Sequence, residues 1–181
     1  MEKKKLNDSS FDEQLKEWQP DIVMFDRFML EEQFGWRVEK NCPDALRLLD
    51  TEDLHFLRLA RQQAFKAGRA VTLEDLHSEQ AQREIAAIYR SDLTLVISET
   101  EMQLLTGHFK VPQDLLCYSP FWLETKIAED LPDFAQRQHF VSIGNFRHEP
   151  NWQSVLWLKQ QIWPLIRASL MREVAERLGV F

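Results

Sequence analysis

Glycine is scarce in this chain, five residues in 181. A phosphate loop of the G-x-G-x-x-G kind needs glycines at close spacing, so that backbone can approach the phosphate, and no such cluster occurs. A flavodoxin-like nucleotide-binding protein, which needs a glycine-rich first turn, therefore ranks last among the readings. Cysteine is scarcer still: Cys42 and Cys117 fit neither a metal-ligand spacing nor a disulfide framework. Reduced thiols, as in a cytoplasm, are expected. The basic run Lys3-Lys4-Lys5 is followed by Leu6-Asn7-Asp8-Ser9-Ser10 rather than by an apolar stretch. A secretory signal is not expected, and no run is long enough to span a bilayer. A peripheral membrane contact stays open. Positive charge is also in deficit, the formal net charge being -7. That argues against nucleic acid, whose phosphates need a basic face, but is compatible with a local basic patch for a sugar nucleotide. Internal repeats and low-complexity tracts are absent.

What is present is the composition of a soluble globular protein, 44% hydrophobic and 28% charged. The length suits one ordinary domain with a real core, and falls short of two nucleotide-binding domains of roughly 150 residues each. Phe11, Leu15 and Trp18 recur at helical spacing up to Pro20, after a frayed leader over 1–10. Ile22–Phe25 is a continuous apolar run ending at Asp26, as expected of a strand buried on both faces. Leu30, Phe34 and Val38 mark a helix. Ala45–Leu49 reads as a second strand ending at Asp50. A helix with Leu57, Ala60 and Ala64 on one face follows, closed by Gly68. Thr72–Arg90 reads as mostly helix with Ile85, Ile88 and Tyr89 inward. Leu93–Ile97 is a third strand, Ser98 caps the next helix, and Leu115–Tyr118 is a candidate fourth strand.

Residues 119–138, with Pro120 and Pro132, read as an irregular connector. A fresh strand, Phe140–Ile143, then leads to a helix opened by Pro150 or Asn151, with Val155, Leu158, Ile162 and Leu165 as its stripe and a kink at Pro164. Met171–Leu178 reads as a last helix with Val174 and Leu178 on one side. Strands alternating with helices predict an α/β fold with a doubly wound, Rossmann-like parallel sheet, divided into 1–138 and 139–181. Ligands of such sheets bind at the carboxyl ends of the strands. That rule selects Asp26-Arg27, Asp50–His55, Ser98-Glu99 and Gly144–Asn151.

Three stretches carry a resemblance to a known family. PDIVMFDRFMLEEQFGW with ALRLLDTEDLHFLR resembles the later strands of the acceptor-side domain of retaining GT-B glycosyltransferases (glycosyl transferases group 1, family 4). REIAAIYRSDLTLVISETEMQLL resembles the helix-strand-helix closing that domain, and FVSIGNFRHEPNWQSVLWL the first strand, loop and helix of the donor-side domain. The resemblance spans most of 20–167. It implies a partial GT-B architecture, with a nucleotide-sugar donor and a hydroxyl acceptor as ligands and no further cofactor. The family's opening strand with its glycine-rich loop, its later basic pair for the diphosphate and its glutamate motif for the ribose have no counterpart in these 181 residues. The expectation is thus an incomplete, inactive fragment of a transferase.

Gly144, Asn145 and Arg147 would lie beside the donor diphosphate by that resemblance; the plain alternative is a strand-to-helix turn with Arg147 in water. Asp50, Asp53 and His55 would line the acceptor cleft, where a carboxylate or imidazole can polarise a hydroxyl. The alternative is helix capping by Thr51 or Asp53. Asp, Glu and His are metal ligands too, but no paired spacing supports a metal. Glu99 and Glu101 fall in a first helical turn, and Trp152, Trp157 and Trp163 read as packing residues. The competing function is a non-catalytic binding or assembly module, self-associating through an exposed sheet edge and the C-terminal helices.

Overall fold

The structure, a computed structural model, describes residues 9–121, 132–137 and 139–178, with side chains up to residue 173. The chain divides into two compact units, Met1–Glu124 and Thr125–Phe181. The expected leader falls almost wholly outside the described residues, as does much of the expected connector.

The first unit runs α1 (Ser10–Trp18), β1 (Ile22–Asp26), α2 (Phe28–Asn41), β2 (Leu46–Asp50), α3 (His55–Lys66), α4 (Glu79–Arg90), β3 (Leu93–Val96), α5 (Glu99–Gly107) and β4 (Leu116–Tyr118). All strand pairs are parallel, and the sheet order is β1-β2-β3-β4. This is a Rossmann-like α/β unit. The order has a consequence that the expected double winding does not share. Crossovers of one hand that always step in the same direction put every connecting helix on the same face. Double winding needs a reversal of direction, and the described strands contain none.

Side-chain alternation shows the result. Phe25, Leu49, Thr94, Val96 and Leu116 point to the helical side and are buried. Leu54, Phe56, Leu57, Ala60, Ala87, Ile88 and Leu105 complete that core. On the opposite face Ile22, Met24 and Leu46 are 58%, 55% and 43% exposed. The expectation that Ile22–Phe25 is buried on both faces is therefore corrected: β1 is an edge strand, and only Phe25 is buried.

Several helices differ from their sequence reading in which face they bury. In α2, Val38 is buried as expected, but Leu30 is exposed while Phe28, Glu31 and Gly35 face inward. The predicted helix over 72–90 breaks into a 3-10 turn, Glu74–Leu76, and α4, whose N-cap Ser78 Oγ accepts the Ala81 N–H at 3.1 Å. Tyr89 is exposed rather than inward. Ser98 caps α5 as read, accepting from Glu101 N–H at 3.4 Å.

In the second unit, a 3-10 turn, Phe134–Gln136, precedes one helical run made of α6 (Glu149–Trp157), a π turn (Leu158–Ile162) and α7 (Trp163–Leu178). The disturbance expected from Pro164 takes the form of that π turn. A proline has no N–H and crowds the carbonyl four residues back, and a wider turn relieves both. Met171–Leu178 continues α7 instead of forming a separate helix, and the side chains of Val174 and Leu178 lie outside the description. The expected strand Phe140–Ile143 does not form: Phe140, Val141 and Ile143 are exposed, and no strand pairs with them among the described residues. Apolar β-formers alone do not make a strand; a ladder partner is required.

Candidate functional site at the carboxyl ends of the strands

Asp26 ends β1 and Asp50 ends β2, and the two are register partners. One residue on, Arg27 N–H donates to the Asp50 carbonyl oxygen at 2.8 Å, tying the two strand ends together. Arg27 adopts φ 69°, ψ 157°, and Glu52 φ 58°. Side chains other than glycine disfavour such backbone, which costs of order 1–3 kcal/mol per residue and tends to accumulate where a site is held in shape. The Arg27 guanidinium returns to Asp26 with two bonds, Nε to Oδ1 at 2.8 Å and Nη2 to Oδ2 at 3.0 Å. These bonds hold the Asp26 carboxyl below the usual carboxylate range.

Asp50 accepts the Glu52 N–H at 3.2 Å. Asp53 accepts from Arg58 Nη1 at 2.9 Å and lies 3.5 Å from His55 Nε2. His55 is buried, its ring edge-on to Phe28 at 5.7 Å. Burial, then the positive charge of Arg58, pushes its pKa down against the opposing pull of Asp53. The imidazole is thus neutral at pH 7, and its Nε2 has no hydrogen-bond partner. The structure therefore brings Asp50, Asp53 and His55 to one strand end, with Asp26 and Arg27 beside them. Only the carboxylates and Arg27 are open to solvent, and His55 stands behind Asp53.

The capping alternative takes an unexpected form. Neither Thr51 nor Asp53 caps α3: Thr51 Oγ1 donates to the Leu95 carbonyl at 2.9 Å, and the N-cap is Leu54. The free N–H groups of α3 are met by carboxylates from other helices. Glu84 of α4 accepts from His55 and Phe56 N–H, both at 3.0 Å, and Glu101 of α5 accepts from Leu54 N–H at 3.4 Å. Glu84 is 1% exposed, and burial pushes its pKa up to about 7. Burial also raises Glu101, whose Oε2 has no hydrogen-bond partner. Sequence reasoning missed Glu84. Its signal was an acid on the apolar stripe formed by Ala81 and Ile88, where a charge needs a partner.

A third buried acid, Glu31 of α2, pairs with Arg90 of α4, whose Nε donates to both carboxylate oxygens at 2.9 and 3.1 Å. A Cβ on Gly35 would lie 2.5 Å from Glu31 Oε1, so glycine at that position makes room for the pair. This pair borders a cavity of about 310 Å³ that Trp36, Glu39 and Arg47 also line.

Gly144, Asn145 and Arg147 belong to the second unit. Asn145 organises this loop: its Oδ1 accepts Arg147 N–H at 3.1 Å, and its carbonyl accepts His148 N–H at 2.9 Å and Asn151 Nδ2 at 3.2 Å. Gly144 lies against the Asn151 side chain, and the Arg147 side chain is exposed. Among the described residues no strand precedes the loop, so the strand-loop-helix geometry expected at a diphosphate is absent there. Among the described residues, no three or more His, Cys, Asp or Glu side chains converge on a metal position, and no helix is long and apolar enough to cross a membrane. Comparison of the chain with protein-family models, with curated proteins and with solved structures finds no match.

Proposed function

We propose that the first unit is an acceptor-side domain of GT-B glycosyltransferase type, acting in the cytoplasm, and that these 181 residues bind a hydroxyl acceptor without transferring sugar to it. The observation that carries the reading is the joined end of β1 and β2. There Asp26, Arg27, Asp50 and Asp53 present charge at the carboxyl edge of a parallel sheet, over backbone held in disfavoured conformations. In this reading Asp53 accepts a hydrogen bond from the acceptor hydroxyl, and Arg27 and Asp50 bind neighbouring hydroxyls. Arg58 Nη1 holds the Asp53 carboxylate in place at 2.9 Å, and the buried His55 ring packs behind it. The donor side would fall to Gly144, Asn145 and Arg147 with a nucleotide sugar. Their exposed loop, with no strand ahead of it, supports the absence of turnover.

The test has two arms. Titration of the labelled chain with mono- and disaccharides, read by NMR, should shift the amides of 26–27 and 50–55, and Asp53→Asn should remove the shifts. No response at those amides for any sugar would refute the acceptor reading. Incubation with common nucleotide sugars should yield no transfer, and measurable transfer would refute the second half of the proposal.

A second reading, an assembly module, is favoured by one observation, the bare apolar face of the sheet bearing Ile22, Met24 and Leu46. Sedimentation equilibrium decides it. A chain that stays monomeric at high concentration is not an assembly module built on that face.

A further inference from the structure

His77 and His108, 31 positions apart, face each other with Nε2 atoms 3.1 Å from one another. Their backbones are fixed. His77 follows the buried Leu76 and donates its N–H to the Glu74 carbonyl at 3.1 Å, just ahead of the Ser78 cap of α4. His108 is the C-cap of α5 and donates to the Leu104 carbonyl at 3.0 Å. Their rings are fixed as well. Phe109 packs edge-on to His108 at 4.9 Å, tilted against His77 at 5.9 Å, and edge-on to the buried Phe56 at 5.1 Å. Two imidazoles are thus held by an aromatic cluster with their outer nitrogens converging.

We propose that His77 and His108 form a two-histidine site for a divalent transition-metal ion. Zinc–imidazole bonds are about 2.0–2.1 Å long, which places two nitrogens on a tetrahedral ion about 3.4 Å apart. A square-planar or octahedral ion with cis imidazoles brings them to about 2.9 Å. The observed 3.1 Å lies between, so the two nitrogens already stand at the spacing that one shared ion requires. Imidazole nitrogen selects zinc, copper, nickel and cobalt over magnesium and calcium, which prefer oxygen. With two protein ligands, the remaining positions belong to water, so the site is open. His108 also lines a cleft of about 530 Å³ with Leu57, Leu73, Leu76 and Leu104. An ion bound here would clasp the segment before α4 to the end of α5, stabilising the fold with the logarithm of free ion concentration once that exceeds the dissociation constant.

Calorimetric titration of the full chain with zinc and nickel chlorides should show one ion per chain, with no heat from magnesium. Thermal melts should shift upward with zinc and return with a chelator. His77→Ala and His108→Ala should each weaken binding by more than about tenfold, since loss of a direct ligand exceeds the roughly 10–100-fold cost of losing an outer-shell partner. His139→Ala and His148→Ala should leave binding unchanged. Copper loaded at one equivalent should show coupling to two nitrogens in its electron paramagnetic resonance spectrum. Failure of zinc, nickel and copper all to bind at sub-millimolar concentration, or binding that survives both His77→Ala and His108→Ala, would overturn the proposal and leave the two rings as a hydrogen-bonded pair.

Discussion

The two faces of the sheet are made of similar residues and have opposite fates. Phe25, Leu49, Val96 and Leu116 are enclosed by helices, whereas Ile22, Met24 and Leu46, one position out of phase, are largely open. Composition does not separate them, since the β1 run is apolar throughout. What separates them is strand order. A sheet that steps from β1 to β4 without reversal sends every helix to one side, and the other side keeps the character of a buried surface without the cover. Apolar sequence therefore reports what a residue can tolerate, and topology decides what it receives.

Four changes would break or sharpen this contrast. The largest effect is expected at Leu49, which has no exposed surface. Leu49→Ala should lower the unfolding free energy by about 3 kcal/mol in urea melts, through lost transfer energy and the cavity left behind.

Next comes pH. The fold raises the Glu84 pKa from 4.5 to about 7, so it favours the protonated acid. The associated stability is fully present below about pH 4.5 and declines as pH rises through 7. The full loss is about 3 kcal/mol on the alkaline side, at 1.36 kcal/mol per pKa unit. Glu101 acts in the same direction. Asp26 and Asp92, held below their ordinary values, act oppositely at lower pH, where protonation removes their contribution, and His55, pushed down by burial, acts oppositely as pH falls through the ordinary imidazole range, by less than Glu84. Urea melts at pH 5 and pH 8 should show the greater stability at pH 5. Glu84→Gln should flatten most of that slope whatever it does to the absolute value.

Third is Gly35→Ala. In an exposed helix this change gains about 1 kcal/mol. Here the new Cβ displaces the Glu31 carboxylate from Arg90, and a net loss of about 1–2 kcal/mol is expected, because a buried charge loses its partner. A gain would mean that Glu31 finds another arrangement at little cost. The smallest effect is expected on the bare face. Met24→Ser should change monomer stability by less than about 0.5 kcal/mol. A loss comparable to that of Leu49→Ala would show that the face is covered in solution.

Strand positions were legible in the sequence because short apolar runs that end at Asp26 and Asp50 are local signals. The clustering of Asp50, Asp53 and His55 at a strand end followed from the same reading. Three things were not legible. The lack of a reversal in strand order is a property of pairing, which no local run encodes. The capping of α3 by Glu84 and Glu101 joins residues 28 to 47 positions apart, while the adjacent Thr51 and Asp53 looked sufficient. The strand expected at 140–143 failed for the converse reason: its local signal is sound, but a strand exists only in a pair.

The strand order also shapes how the first unit can assemble. Each strand after β1 pairs with the one immediately before it in the chain, so the sheet grows at one edge and none of these strands waits for a later segment before finding its first neighbour. The β1-α2-β2 segment closes over a short crossover, as does β3-α5-β4. The crossover from β2 to β3 carries both α3 and α4 and is the longest loop to close. Loop-closure entropy makes that the slow step, so docking of β3 should limit folding. During synthesis the order permits assembly from the amino end, each completed strand-helix pair laying down the edge on which the next strand docks.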